Sequence, residues 1–271
     1  KALKEETKPL YSGYILNSHS LSFPSGALSI VAGMTGRGKT TFLLNLAINA
    51  ITSGRKVAVF TYEESAHKLI LKLLNIYVFI KIGKFSDHPR RCINAYYKDE
   101  PTQFLSNEMR EKFIEHEEEF FSNFIDTGKL MVIDTQDNSD GLIEKIEHLK
   151  DEKEIDCVLV DYIQRVKCSN DSIARHEQIK SINNDLVDCA IRLKIPVIAG
   201  SQFNRGAKDL DTLDLNNLGE GSSVAFDANM VIAVNINREK EKKETPSCFI
   251  RILKNRDGLP ELQEDFVFDG N

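Results

Sequence analysis

The stretch GMTGRGKT, Gly33 to Thr40, narrows the folds open to this chain more than any other feature. It matches G-x-x-x-x-G-K-[ST] at every fixed position. An apolar run, ALSIVAG (27–33), precedes it after a Pro24-Ser25-Gly26 turn and reads as a buried strand. TTFLLNLAINAITSG follows it and reads as a helix, apolar at Phe42, Leu43, Leu46, Ala47 and Ala50 and closed by Gly54. A glycine-rich turn between strand and helix wraps a phosphate chain with its backbone N–H groups, and the helix directs its N-terminal partial positive charge at the same anion. The residues expected at such a nucleotide are Gly33, Met34, Thr35, Gly36, Arg37, Gly38, Lys39, Thr40 and Thr41. Lys39 would reach the β- and γ-phosphates and the Thr40 hydroxyl would ligate Mg²⁺. The competing explanation is a chance glycine-rich turn.

The rest of the chain agrees with this unit. KVAVFTY is a second strand candidate and SAHKLILKLLNIYVFI the next helix. QFLSNEMREKFIEHEEEFFSNFI places Met109, Phe113, Phe120 and Phe124 on one helical face, with 117–119 toward solvent. KLMVID, DCVLVDY, IPVIAGSQ, NMVIAVNI and SCFIRILKN are further strand candidates, most of them near-continuous apolar runs. Such runs, separated early by helices, predict an α/β fold with a largely parallel, twisted sheet covered by helices on both faces. At 271 residues and 41% hydrophobic, the chain is long enough for one large domain or two small ones. No apolar run approaches the ~18 residues of a membrane span, and no signal peptide is recognised at the start. The five cysteines are scattered without a C-x-x-C pair and are expected to be reduced thiols of a cytoplasmic protein. A net charge of -6 argues against a generally basic nucleic-acid coat, though not against DNA binding by a few converging loops.

A phosphate loop needs a second, metal-side acid, and DCVLVDYIQ supplies Asp161 at the end of an apolar run. Ligands of open α/β sheets bind at the carboxyl edge, where such an acid would hold Mg²⁺ through its water shell. KVAVFTYEES raises a sharper question, because a buried strand ends there in two adjacent carboxylates. On a parallel sheet Glu63 would face the γ-phosphate and activate the attacking water, while Glu64 would begin the next helix. The alternative is that both acids only cap that helix. IPVIAGSQFNR ends in Ser201, Gln202, Asn204 and Arg205, polar groups able to sense a γ-phosphate, although ordinary loop chemistry also explains them.

In the order GMTGRGKT, VFTYEES, LVDYIQ, IAGSQFNR, EGSSVAFDANMVI and ILKNRDG, the chain resembles the C-terminal motor domain of the DnaB-type replicative helicases, over roughly 24–268. The resemblance implies a RecA-like P-loop core, ATP and Mg²⁺ as cofactors, Glu63 as catalytic base, Asp161 as metal-side acid and Gln202 as the coupling residue. It further implies that Lys254 and Arg256 enter the neighbouring subunit's site, Arg256 as the finger. Single-stranded DNA would be met by Arg165, Lys167 and Arg175 in one loop (165–176). A second loop (204–223) would use Arg205, Lys208 and backbone amides near Gly219 and Gly221. A ring homo-oligomer, expected to be a hexamer, is implied as well. Residues 1–23 are expected to be an N-terminal linker segment and 24–271 the motor domain. A chain opening on Lys1 is expected to be an excised or single-domain form, with primase or a helicase loader reached through a domain not present here. The pattern is broken where a glutamate and a D-A-D give way to Ala225 and Asp227-Ala228-Asn229. The second reading is a RecA-like ATP-dependent switch or assembly ATPase without unwinding activity.

Overall fold

The computed structural model describes residues 8–82, 107–203, 215, 227–237, 247–259 and 262–267. Its centre is an eight-stranded sheet in the order β10-β9-β8-β3-β7-β6-β4-β5. The strands are β3 (Leu28–Gly33), β4 (Val57–Thr61), β5 (Leu130–Asp134), β6 (Cys157–Asp161), β7 (Val197–Gln202), β8 (Met230–Asn237), β9 (Ser247–Asn255) and β10 (Gln263–Val267). β8, β3, β7, β6, β4 and β5 run parallel; β9 and β10 add antiparallel pairs at one side. The expected α/β sheet is therefore present, with its antiparallel flank at the β8 side.

The apolar runs are continuous because both faces are covered, and side chains alternate between two cores. Val57, Val59, Cys157, Leu159 and Ile198 join one core, whereas Ala58, Phe60, Val158, Val160 and Ala199 join the other. On the first face pack α1 (Lys39–Thr52), α2 (Ala66–Ile82) and α3 (Asn107–Phe120). On the second pack α4 (Ser139–Lys153) and α5 (Arg175–Leu193). α3 runs into a π-helical turn at Phe121–Ile125. That turn lets Phe120 and Phe124 both meet Tyr77, at ring-centroid distances of 5.5 and 5.4 Å. Phe113, Phe120 and Phe124 are buried as predicted, but Glu119 is not simply solvated: it accepts from Lys81 Nζ at 2.9 Å.

One expectation changes. Residues 10–23, read as linker, form a hairpin of β1 (Leu10–Leu16) and β2 (His19–Phe23). Asn17 and Ser18 turn it with φ of 46° and 69°, the left-handed pair that matches strand twist in a two-residue turn. Leu10, Leu16, Leu21 and Phe23 are buried in the first core. Tyr14 stacks on Phe42 of α1 at 5.2 Å and meets Phe266 edge-on at 5.3 Å. Asn49 of α1 donates to Ser12 O at 2.6 Å. Gly13 makes that approach possible, since a Cβ there would lie 2.5 Å from Asn49 Nδ2. The sequence signal was Asn17-Ser18 between LYSGYIL and HSLSF.

Candidate nucleotide site at the carboxyl edge of the sheet

Register brings the predicted residues to one level. Gly33 pairs with Gln202, and Thr61 pairs with both Asp161 and Asp134. The carboxyl ends of β3, β7, β6 and β4 thus open side by side onto the loop that leads into α1.

That loop has a left-handed backbone where it turns into the helix. Gly38 has φ 98°, and a Cβ there would sit 2.8 Å from Ile236 Cδ1, so conformation and space both demand glycine. Phe42 N donates to Gly38 O at 2.8 Å, opening α1. Arg37 donates from Nη1 to Ile236 O at 2.8 Å, which ties the loop to the end of β8. Lys39 is 8% exposed, and its Nζ donates to Gly33 O at 3.0 Å and Met34 O at 3.1 Å. It also lies 5.8 Å from the centroid of the Tyr162 ring. Burial lowers the Lys39 pKa, with the carboxylates of Asp161 and Glu63 pulling the other way.

Thr40 Oγ1 donates to Asp161 Oδ2 at 2.8 Å. Asp161 is 2% exposed, and burial raises its pKa, opposed first by that hydrogen bond. Its other oxygen, Oδ1, is buried with no hydrogen-bond partner among the described residues. An orphaned carboxylate oxygen beside a threonine hydroxyl fits a hydrated divalent cation, which would take up lone pairs the protein leaves unused. The donor set is hard oxygen, as Mg²⁺ requires.

The two carboxylates after β4 part company. Glu64 accepts from Lys72 Nζ, and its backbone closes on Thr61, Oγ1 donating to Glu64 O at 2.9 Å. It lies ahead of α2, whose first amide, Ala66 N, is met instead by Asp134 Oδ2 at 3.2 Å. The expectation that Glu64 begins the helix is thus corrected: Asp134, from a neighbouring strand, meets that amide. Glu63 is exposed on the same edge, within electrostatic reach of Lys39, Asp161 and Arg165.

Gln202 donates from Nε2 to Thr35 Oγ1 of the loop. Its backbone is gripped by Gln164, which sequence reasoning passed over: Gln202 N donates to Gln164 Oε1 at 3.2 Å. The only signal was the glutamine in LVDYIQ. Arg165 and Lys167 are exposed just beyond this turn. Arg205, Lys208, Gly219, Gly221 and Ala225 lie outside the described residues.

Lys254 and Arg256 are not brought to this site. β9 is antiparallel to β8, so Lys254 pairs with Val231 and Asn255 with Met230, which in turn pairs with Ser29 at the amino end of β3. Arg256 N donates to Asn229 O at 3.0 Å, and Asn229 Nδ2 donates to Asp257 Oδ2 at 2.8 Å. The departure at Asn229 therefore sits under the basic turn, as a donor where an aspartate would oppose Asp257. Burial, and then Arg256, lower the Lys254 pKa, while Asp227 raises it.

The model of the DnaB-like helicase C terminal domain matches residues 12–269. The chain belongs to this family. The chain is 26% identical over 225 residues to the replicative DNA helicase DnaB of Helicobacter pylori strain J99, covering 82% of this chain and 42% of that protein. It is 26% identical over 250 residues to the replicative DNA helicase DnaC of Bacillus subtilis strain 168, covering 90% and 51%. A probable plasmid replicative DNA helicase of Chlamydia muridarum is 24% identical over 253 residues, covering 90% and 49%. The chain thus spans about half the length of these relatives. Among solved structures, a DnaB-like replicative helicase, described with its interactions with primase, superposes with a TM-score of 0.74 at 21% identity, covering 90% of this chain and 55% of that one. A separately solved ATPase domain gives 0.73 at 21% identity, covering 90% and 82%. These likenesses establish a RecA-like α/β fold. The family match begins inside the β1–β2 hairpin, in keeping with its packing on α1.

Among the described residues, no helix is long and apolar enough to cross a membrane, and no cluster of three or more histidine, cysteine or acidic side chains is placed to hold a metal ion by itself. Cys157, Cys168, Cys189 and Cys248 are free, and burial pushes the Cys157 thiol up to about 12.

Proposed function

We propose that this chain is an ATP-hydrolysing motor that works on single-stranded DNA in replication. In this reading residues 10–267, hairpin included, form one motor domain acting in a ring, expected to be a hexamer. The observation that carries the reading is polarity: Lys39, Thr40, Asp161, Glu63 and Gln202 share one edge of the sheet, whereas Lys254 and Arg256 occupy the other. A single subunit then holds a complete nucleotide edge and, at its far edge, the cations suited to a neighbour's nucleotide.

Chemically, the loop amides and Lys39 hold the phosphates, Lys39 exchanging its bonds to Gly33 O and Met34 O for phosphate oxygens. Mg²⁺, held by Thr40 and through water by Asp161, would neutralise charge on the β- and γ-oxygens. Glu63 takes the proton of the attacking water as its oxygen bonds to the γ-phosphorus and the bond to the β–γ bridging oxygen breaks. Arg256 of the adjacent subunit meets the charge that builds on the γ-phosphoryl group. Arg165, Lys167, Arg205 and Lys208, with amides near Gly219 and Gly221, would hold the DNA backbone. A primase or a loader would be partners of the longer protein of which such a domain is a part.

The test is the steady-state ATPase rate against protein concentration, with and without single-stranded DNA, for the native chain and Glu63→Gln. A rate that rises faster than protein concentration, is stimulated by DNA and falls by about 10²–10⁴ in the variant supports the motor. A rate linear in protein and indifferent to DNA supports a self-contained ATP switch instead.

A further inference from the structure

The β6–β7 ladder ends early. Its last pair is Val160 with Ala199, yet β7 runs on to Gln202. At Asp161, β6 is still paired with Thr61 of β4 but no longer with β7, and the chain then turns through a short 3₁₀ segment, Ile163–Arg165. The side chain of Gln164, in that turn, replaces the missing ladder. Its Nε2 donates to Ser201 Oγ at 2.9 Å and to Gln202 O at 3.4 Å, while its Oε1 accepts from Gln202 N at 3.2 Å. An amide side chain that donates to and accepts from one residue's backbone mimics a strand neighbour. Gln202 is thus held on one side by β3, through the pairing with Gly33, and on the other by a single side chain.

The same residue leads outward. Gln164 O accepts from Arg175 Nη2 at 2.6 Å. Arg175 Nη1 donates to Gln178 Oε1 at 3.1 Å, and Gln178 Nε2 donates to Asp171 O at 3.1 Å and Ile173 O at 2.9 Å. The segment carrying Arg165 and Lys167 is therefore anchored to the Gln164 turn at its start and through Arg175 at its end. Inward, Gln202 Nε2 reaches Thr35 of the phosphate loop. A continuous polar chain runs from the phosphate loop through Gln202 and Gln164 to the first basic segment.

We propose that Gln164 is the positioning residue that transmits nucleotide state from Gln202 to residues 165–176, a role that rests on the nucleotide reading of the site above. Nucleotide in the loop competes for Thr35 and draws on the Gln202 side chain. Because Gln202 is bonded through N and O to Gln164, the tip of β7 and the 3₁₀ turn move together, and the basic segment follows through Arg175. Gln164 touches neither phosphate nor DNA in this scheme.

The experiment measures amide hydrogen exchange of the whole chain with and without Mg²⁺ and a non-hydrolysable ATP analogue, for the native protein, Gln164→Leu and Gln164→Glu. The same samples are assayed for ATPase with and without single-stranded DNA. In the native chain the analogue slows exchange at 33–42 and alters it at 163–176. Gln164→Leu, of similar volume but without amide groups, keeps the first response and loses the second. Gln164→Glu keeps the acceptor for Gln202 N but loses the donors, and gives an intermediate response; it carries the test if the leucine variant fails to fold. Stimulation by DNA falls by about fivefold or more in Gln164→Leu while the unstimulated rate stays within about twofold, a ratio that a merely structural loss would not produce. A 163–176 response that survives in both variants, or is absent from the native chain, overturns the proposal. If the exchange response behaves as expected but DNA stimulates no variant, the motor reading fails while the role of Gln164 stands.

Discussion

Two inactive variants of this chain should restore activity to each other when mixed. Arg256 lies past Asn255, which is in register through Met230 with Ser29, while the phosphate loop starts at Gly33. Strand rise and the two intervening inter-strand spacings separate Arg256 from its own loop by about 19 Å, far beyond an arginine's reach. On the proposed reading, a finger at that position would serve a different subunit's nucleotide. On that reading, Glu63→Gln removes the base but leaves the finger, costing about 10²–10⁴-fold; Arg256→Ala removes the finger but leaves the base, costing about 10³–10⁵-fold. In rings assembled at random from equal amounts of the two, an interface is intact when an Arg256→Ala chain supplies the loop and a Glu63→Gln chain supplies the finger. That arrangement occurs at about one interface in four, so independently firing sites recover about a quarter of the native rate. The assay is steady-state phosphate release after co-refolding or subunit exchange, with the Glu63→Gln/Arg256→Ala double variant mixed with native chain as the control. A mixture no more active than its components would refute the reasoning, because a finger acting within its own chain leaves every molecule with one defect.

Other expectations follow from the packing and the charges. Asp161→Asn should abolish Mg²⁺-dependent hydrolysis yet raise Tm by about 2–4 °C, since it relieves a buried carboxylate whose Oδ1 has no partner among the described residues. An unchanged or lowered Tm in a calorimetric scan would contradict this. Tyr14→Ala should cost about 2 kcal/mol in a urea titration by removing a ring wedged between Phe42 and Phe266, whereas a hairpin that is only a linker would leave the midpoint unmoved. The Lys81 ammonium holds the Glu119 carboxyl down at about 2, against an ordinary 4.5. A depressed carboxylate adds stability above the ordinary value and loses it as pH falls toward the folded one. Glu119→Gln should therefore flatten the loss of Tm between pH 4.5 and 2, and a slope equal to that of the native chain would exclude the pair as its source.

The nucleotide edge was legible because its parts are local. Gly33 to Thr40 combine a strand, a turn and a helix within one short stretch, and Glu63 and Asp161 each stand at the end of an apolar run whose parallel pairing follows from burial on both faces. The hairpin was not legible by apolar content, because β1 alternates with exposed Tyr11 and Ile15 and was outweighed by the stronger core runs. Glu64 was misplaced because the acid that meets the α2 amide, Asp134, comes from a distant strand, leaving Glu64 to turn to Lys72 of α2. Gln164 was invisible for the same reason: its meaning lies in the end of β7, far along the chain.

By itself, then, the amino-acid sequence determined the glycine-rich loop, the acids that end two apolar runs, and a parallel sheet, because short-range spacing and hydrophobic period carry those. Tertiary structure alone decided that Lys254 and Arg256 lie on the opposite edge. The reversal of β9 against β8 carries Lys254 and Arg256 to the edge opposite Lys39, and strand direction in a sheet is set by pairing between distant segments, which no local pattern of residues encodes.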